Sequence, residues 1–60
     1  MKKYVVEFEI FFGDGQKGYK TVTVEAGNKK IAALRAMSEI NKDQSVAQLY
    51  KNLLRVKEVA

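Results

Sequence analysis

Residues 3–12 read Lys3-Tyr4-Val5-Val6-Glu7-Phe8-Glu9-Ile10-Phe11-Phe12, and their alternation decides the fold. Side chains on a strand point to opposite faces with a period of two. Tyr4, Val6, Phe8, Ile10 and Phe12 therefore share one face, which is wholly apolar. Lys3, Val5, Glu7, Glu9 and Phe11 share the other, which is mixed. β-branched and aromatic residues dominate, as a half-buried pleated surface requires. The stretch reads as a strand with a core side and an open side.

Downstream, Gly13-Asp14-Gly15-Gln16-Lys17-Gly18 concentrates turn formers and reads as a hairpin loop. Tyr19 to Ala26 then alternates again. Val22, Val24 and Ala26 are assigned to the core, and Tyr19, Thr21, Thr23 and Glu25 to the open side. Asn28 is placed as a helix N-cap, because its side-chain oxygen can accept an orphan backbone N–H. Lys29 to Asn41 is rich in strong helix formers. At 100° per residue, Ala32, Ala33, Ala36, Met37 and Ile40 fall on one arc. Ile31 and Leu34 lie off it and need a cover of their own.

Asp43 or Ser45 is expected to cap a short second helix. Val46, Leu49, Tyr50 and Leu53 are spaced for it, and its apolar face would cover Ile31 and Leu34. Leu54 to Val59 alternates and reads as a third strand. The expected fold is a single α+β domain over residues 1–60, β-β-α-(short α)-β. A right-handed crossover gives an antiparallel sheet of order 2-1-3 with the main helix on one face.

Composition narrows the function classes. The chain has 60 residues, with no Cys, no His, no Pro and no Trp. Disulfides, zinc–thiolate sites and iron–sulfur clusters need cysteine, and neutral-pH acid–base catalysis usually needs histidine. Ser38 and Ser45 have neither Cys nor His to join them in a nucleophile–base pair. Gly13-Asp14-Gly15 lacks the Gly-Lys-Ser/Thr ending of a phosphate loop and the several carboxylates of a calcium loop. No catalytic residue, cofactor or metal is assigned, and the chain is expected not to be an enzyme. Glu7 and Glu9 are paired carboxylates on the open face, and Arg55 and Lys57 are expected opposite them as cross-strand ion pairs.

Lys2 and Lys3 before an apolar stretch have the outline of a signal peptide, but Glu7 and Glu9 interrupt it. No apolar run is long enough for a membrane span. The protein is expected to be soluble and cytoplasmic, with no membrane partner.

Net charge is +4, from 11 basic and 7 acidic side chains, and all of the excess falls in residues 27–60. Two binding surfaces follow. The first is a protein interface made of Val5, Phe11, Tyr19, Thr21, Thr23 and Ile31. It would serve a protein partner or a second copy of the chain, since oligomerisation is the staple left to a small domain without disulfides or metals. The alternative is a nucleic-acid surface of Lys29, Lys30, Arg35, Lys42 and Lys51. Lys29 and Lys30 oppose the helix dipole, which hints at an anion there.

The element order, with Gly13-Asp14, Thr23-Val24-Glu25-Ala26, Ser38-Glu39-Ile40 and Val56-Lys57-Glu58-Val59, resembles archaeal ribosomal protein LX. That resemblance implies binding to ribosomal RNA. The basic segment that family carries between helix and last strand is replaced here by Asp43-Gln44-Ser45-Val46-Ala47. In compactness the chain is similar to small phage-encoded accessory proteins, which act as inhibitors by occluding a host protein.

Overall fold

The computed structural model describes residues 1–59. Strand β1 (Lys2–Phe11) and strand β2 (Lys17–Ala26) form the hairpin, helix α1 (Lys29–Ile40) follows, and strand β3 (Tyr50–Val59) closes the fold. The sheet is antiparallel with order β2-β1-β3, so the strand with the strongest alternation is the central one. Its apolar face is the core. Tyr4, Val6, Phe8 and Ile10 are buried, together with Val24 and Ala26 of β2 and Ala32, Ala36 and Ile40 of α1.

The hairpin closes through three loop residues. Gly15 N–H donates to Phe12 C=O and Phe12 N–H to Gln16 C=O, and Gly15 has φ +85°. This is a turn followed by a left-handed residue, a position that glycine occupies without steric cost. Asp14 Oδ1 accepts from Gln16 N–H and fixes the loop further. Gly18 has a second use. A Cβ there would lie 2.9 Å from Phe12 Cε2, so the missing side chain lets the Phe12 ring fold over the sheet end.

Helix α1 starts as its sequence predicts, with Asn28 Oδ1 accepting from Ile31 N–H at 2.9 Å. Twelve residues make a helix about 18 Å long, whereas strands of ten residues run about 33 Å. One helix therefore roofs only about half of the sheet. The segment between α1 and β3 roofs part of the rest, with Val46 buried and Leu49 packed against the core.

In that segment, the expected short helix shrinks to two successive hydrogen-bonded turns, the second closed by Leu49 N–H donating to Val46 C=O. Asp43 C=O accepts from both Val46 and Ala47 N–H, while Asp43 Oδ1 accepts from Ser45 N–H and Ser45 Oγ–H. Asp43 is thus the expected cap, but Tyr50 and Leu53 belong to β3. The strand begins four residues earlier than its alternation suggests, and a bulge explains the difference. Glu7 lies opposite Arg55 and Phe8 opposite Leu53, so Leu54 is an extra residue on β3. An inserted residue breaks strict alternation, and Val46, Leu49, Tyr50 and Leu53 imitate helical spacing by coincidence. Without a second helix, Leu34 stays 63% exposed and Ile31 37% exposed. Among the described residues, no helix is long and apolar enough to cross a membrane.

Candidate binding surface

Among the described residues, nothing covers the sheet opposite α1. The two registers place its side chains in rows running from β2 through β1 to β3. At the hairpin end the row is Lys17, Phe11, Tyr50. Next come Tyr19, Glu9, Asn52, then Thr21, Glu7, Arg55, then Thr23, Val5, Lys57. The last row is Glu25, Lys3, Val59.

The hairpin end is aromatic. The Phe11 and Tyr50 rings are tilted by 46° with centroids 5.3 Å apart, and Lys17 Nζ stands 5.7 Å from the Phe11 centroid. These are ordinary geometries for an aromatic pair and a cation over a ring. Tyr19 and Tyr50 are 71% and 69% exposed, so this end carries a broad aromatic surface that the fold itself leaves bare.

The middle is charged and mostly self-neutralised. Arg55 Nη2 donates to Glu7 Oε1 at 2.9 Å, as expected of cross-strand partners. That bond raises the Arg55 pKa above its already high ordinary value. Lys57 does not meet Glu9, because the antiparallel register sets it opposite Val5, and the bulge at Leu54 puts Asn52 opposite Glu9. Glu9 is held instead from β2, by Lys17 at 3.9 Å and Tyr19 Oη at 3.5 Å. Both contacts are at the outer limit of their kind.

Of the expected protein-interface residues, Val5, Phe11, Tyr19, Thr21 and Thr23 lie together on this face. Ile31 sits on α1, on the opposite side of the molecule. Tyr50 joins the face although its spacing in the sequence points to a helix. The signal that would find it is the pairing of an aromatic with Phe11 across a strand, which the bulge at Leu54 hides from the alternation of the sequence.

Three members of the alternative basic set have partners within the chain, two of them on the surface. Arg35 Nη1 donates to Glu25 C=O at 2.9 Å. Lys42 pairs with Glu39 at 3.0 Å. Lys51 Nζ donates to the carbonyls of Val46, Ala47 and Leu49 at 2.9–3.0 Å, and so caps the turn before β3. Lys29 and Lys30 are exposed and form no ion pair among the described residues. Three of the five cations thus have partners within the chain, and Lys29 and Lys30 stay exposed at the start of α1.

A shallow groove lined by Thr23, Val24, Arg35, Ser38 and Glu39 runs between the outer side of β2 and α1. Among the described residues, no group of three or more Asp or Glu side chains is placed to hold a metal ion. No protein family, curated protein or solved structure matches this chain.

Proposed function

We propose that the protein is a non-enzymatic binding module that engages a partner protein through the open face of its sheet, at the hairpin end. The observation that carries this reading is the aromatic group in which Tyr19 and Tyr50 stand exposed beside the half-buried Phe11. Tyrosine offers large contact area and a polar tip with few rotors to freeze, which is why it is enriched at interfaces. Charge beside the group is nearly balanced, since Lys17 stands by Glu9 and Arg55 is paired with Glu7. A fitting partner therefore presents an apolar centre with an uncharged polar rim.

The test is differential capture. Immobilised chain and its Tyr19→Lys/Tyr50→Lys variant, both checked for native circular dichroism, are exposed to the same host extract. A protein retained by the first and lost from the second supports the reading. Equal capture by both overturns it. Retention on a polynucleotide column that falls steeply with salt, and that Lys29→Glu/Lys30→Glu abolishes, favours nucleic acid instead.

A further inference from the structure

The outer side of β2 carries a pattern that goes beyond the open face. Phe12 and Gln16 are joined by a hydrogen bond at the hairpin end, on the same register that pairs Ile10 with Gly18 and Val6 with Val22. In an antiparallel ladder, hydrogen-bonded and non-bonded pairs alternate. Even-numbered residues of β2 therefore direct their N–H and C=O to β1. Odd-numbered ones, Lys17, Tyr19, Thr21, Thr23 and Glu25, direct theirs outward. Arg35 supports this parity independently, since it reaches from α1 to the Glu25 carbonyl. The unpaired backbone stretch thus runs from Lys17 to Thr23.

We propose that β2 pairs antiparallel with β2 of a second copy, with Thr21 on the two-fold axis. Outward groups meet only when odd residues face odd residues, which keeps both helices on one side of a continuous six-stranded sheet. Among these registers, side-chain chemistry selects one. With Thr21 opposite itself, Tyr19 meets Thr23 and Lys17 meets Glu25 of the second copy, each twice. Glu25 has no ion pair among the described residues, and Lys17 holds Glu9 only at 3.9 Å. On the helix side, Gly18 comes opposite Val24 at the mouth of the groove beside α1, so no side chain collides there. Shifting the register in one direction brings together two Lys20 side chains, each held by its own Asp43, and sets Lys17 opposite Thr23, which leaves Glu25 unmatched. Shifting it in the other sets Lys20 beside Val24, at the groove that Arg35 lines, and removes the Lys17–Glu25 match. Tyr19, Thr21 and Thr23 then supply about six backbone hydrogen bonds across the axis. The two aromatic ends of the open face come to lie on one surface, so a dimer would offer a partner two such patches.

The chain has no cysteine, so single introduced thiols report the register directly. Thr21→Cys places two thiols on neighbouring Cα atoms about 5.5 Å apart, within disulfide range. Thr23→Cys or Tyr19→Cys alone places them about 13 Å apart, out of range. The expected result is a covalent dimer from Thr21→Cys, none from Thr23→Cys or Tyr19→Cys alone, and a mixed dimer when those two are combined. Sedimentation of the wild type should show mass rising toward twice the monomer value by hundreds of micromolar, a weak association suited to one strand pair. Thr21→Pro removes only an outward N–H and should stay folded and monomeric. Lys17→Glu should weaken association several-fold, and Lys17→Glu/Glu25→Lys should restore it. A wild type that remains monomeric at hundreds of micromolar, or cross-links equally from Thr23→Cys alone, overturns the proposal. The open-face reading has its own test, since a monomeric Thr21→Pro variant can still capture a partner through Tyr19 and Tyr50.

Discussion

β2 and β3 are both ten residues long, both lie beside β1, and both leave one side of the ladder unpaired. They treat that liability in opposite ways. β3 carries a bulge at Leu54 and charges at Lys51, Arg55, Lys57 and Glu58, spread along its length. Bulges and charges are the usual protections of a strand edge, since they bend it and repel a second strand. β2 keeps its register with β1 unbroken over all ten residues, and Thr21 to Val24 carries no charge. Only Arg35, at its far end, reaches over to occupy a carbonyl. β2 also carries Lys17, Lys20 and Glu25, so what separates the two edges is the bulge: one is bent and the other straight.

The largest effect acts on both edges at once. Both edges hang on β1, whose Phe8 is fully buried and lies between Lys20 of β2 and Leu53 of β3 in the registers. Phe8→Ala is expected to cost about 3–5 kcal/mol. That is a third or more of the stability of a chain this size, on the order of 3–9 kcal/mol. Thermal unfolding followed by circular dichroism should show a melting temperature lowered by more than ~10 °C. A melting temperature like the wild type's would mean that the core is not centred on β1.

The next test asks whether the parity of β2 is right. Proline has no N–H, so its cost in a strand depends on where that N–H pointed. Val22→Pro removes a bond to β1, and Thr21→Pro removes none. The first should be less stable than the second by about 1–3 kcal/mol in urea titration. Equal destabilisation would invert the assignment of inner and outer groups. Deletion of Leu54 probes the other edge. It restores a continuous register between β1 and β3 while leaving Glu7 opposite Arg55 and Phe8 opposite Leu53. The variant should fold and should associate more strongly than the wild type in sedimentation, because a straight β3 has lost one of its two protections.

Elements with strict periods are legible in the sequence. β1, β2 and α1 follow from alternation, turn chemistry and a single N-cap, and each residue choice there agrees with its neighbours. The sheet order follows from connection rules, and Glu7–Arg55 follows from the order. The region from Tyr50 to Leu54 is not legible, because the bulge puts Tyr50 and Asn52 on the same face as Arg55 and Lys57 although their numbers differ in parity. That one insertion hides half of the Phe11–Tyr50 pair and sets a neutral amide opposite Glu9. The fate of the cations is hidden for a different reason. Arg35 and Lys51 serve a strand carbonyl and a turn, and nothing local in the chain marks them for those partners, whereas Lys42 meets Glu39 as a local i,i+3 pair on the surface.

A smaller effect concerns how β2 is tied to the roof. Lys20 Nζ meets Asp43 Oδ2 at 3.1 Å, joining the middle of β2 to the turn that caps the segment before β3. The Ser45 hydroxyl, then Lys20, hold the Asp43 carboxyl down to about 2 from an ordinary 3.8. A carboxylate whose pKa is lower in the folded chain than in the unfolded one stabilises the fold above its unfolded value. That contribution is lost as pH falls through the folded value. Stability should thus drop between about pH 4 and pH 2, and Asp43→Asn should flatten that drop. Asparagine still accepts from Ser45, so the variant removes the charge and keeps the cap. An unchanged acid limb would assign the pH dependence to other carboxylates.

The smallest effect belongs to Arg55 and Glu7, where β3 ties back to β1 across the open face. The pair is short at 2.9 Å, but both side chains are partly in water, 62% and 35% exposed. Surface pairs of this kind gain little and are screened by salt. Arg55→Ala should lower the melting temperature less than any substitution above, and the difference should fade near 1 M salt, where screening acts over about 3 Å. The contact uses one guanidinium nitrogen and one carboxylate oxygen, so it lacks the two-pronged geometry for which arginine is special. Arg55→Lys should therefore keep most of the effect. If lysine fails where arginine succeeds, the guanidinium plane contributes more than pairing, and packing beside the Leu54 bulge becomes its main role.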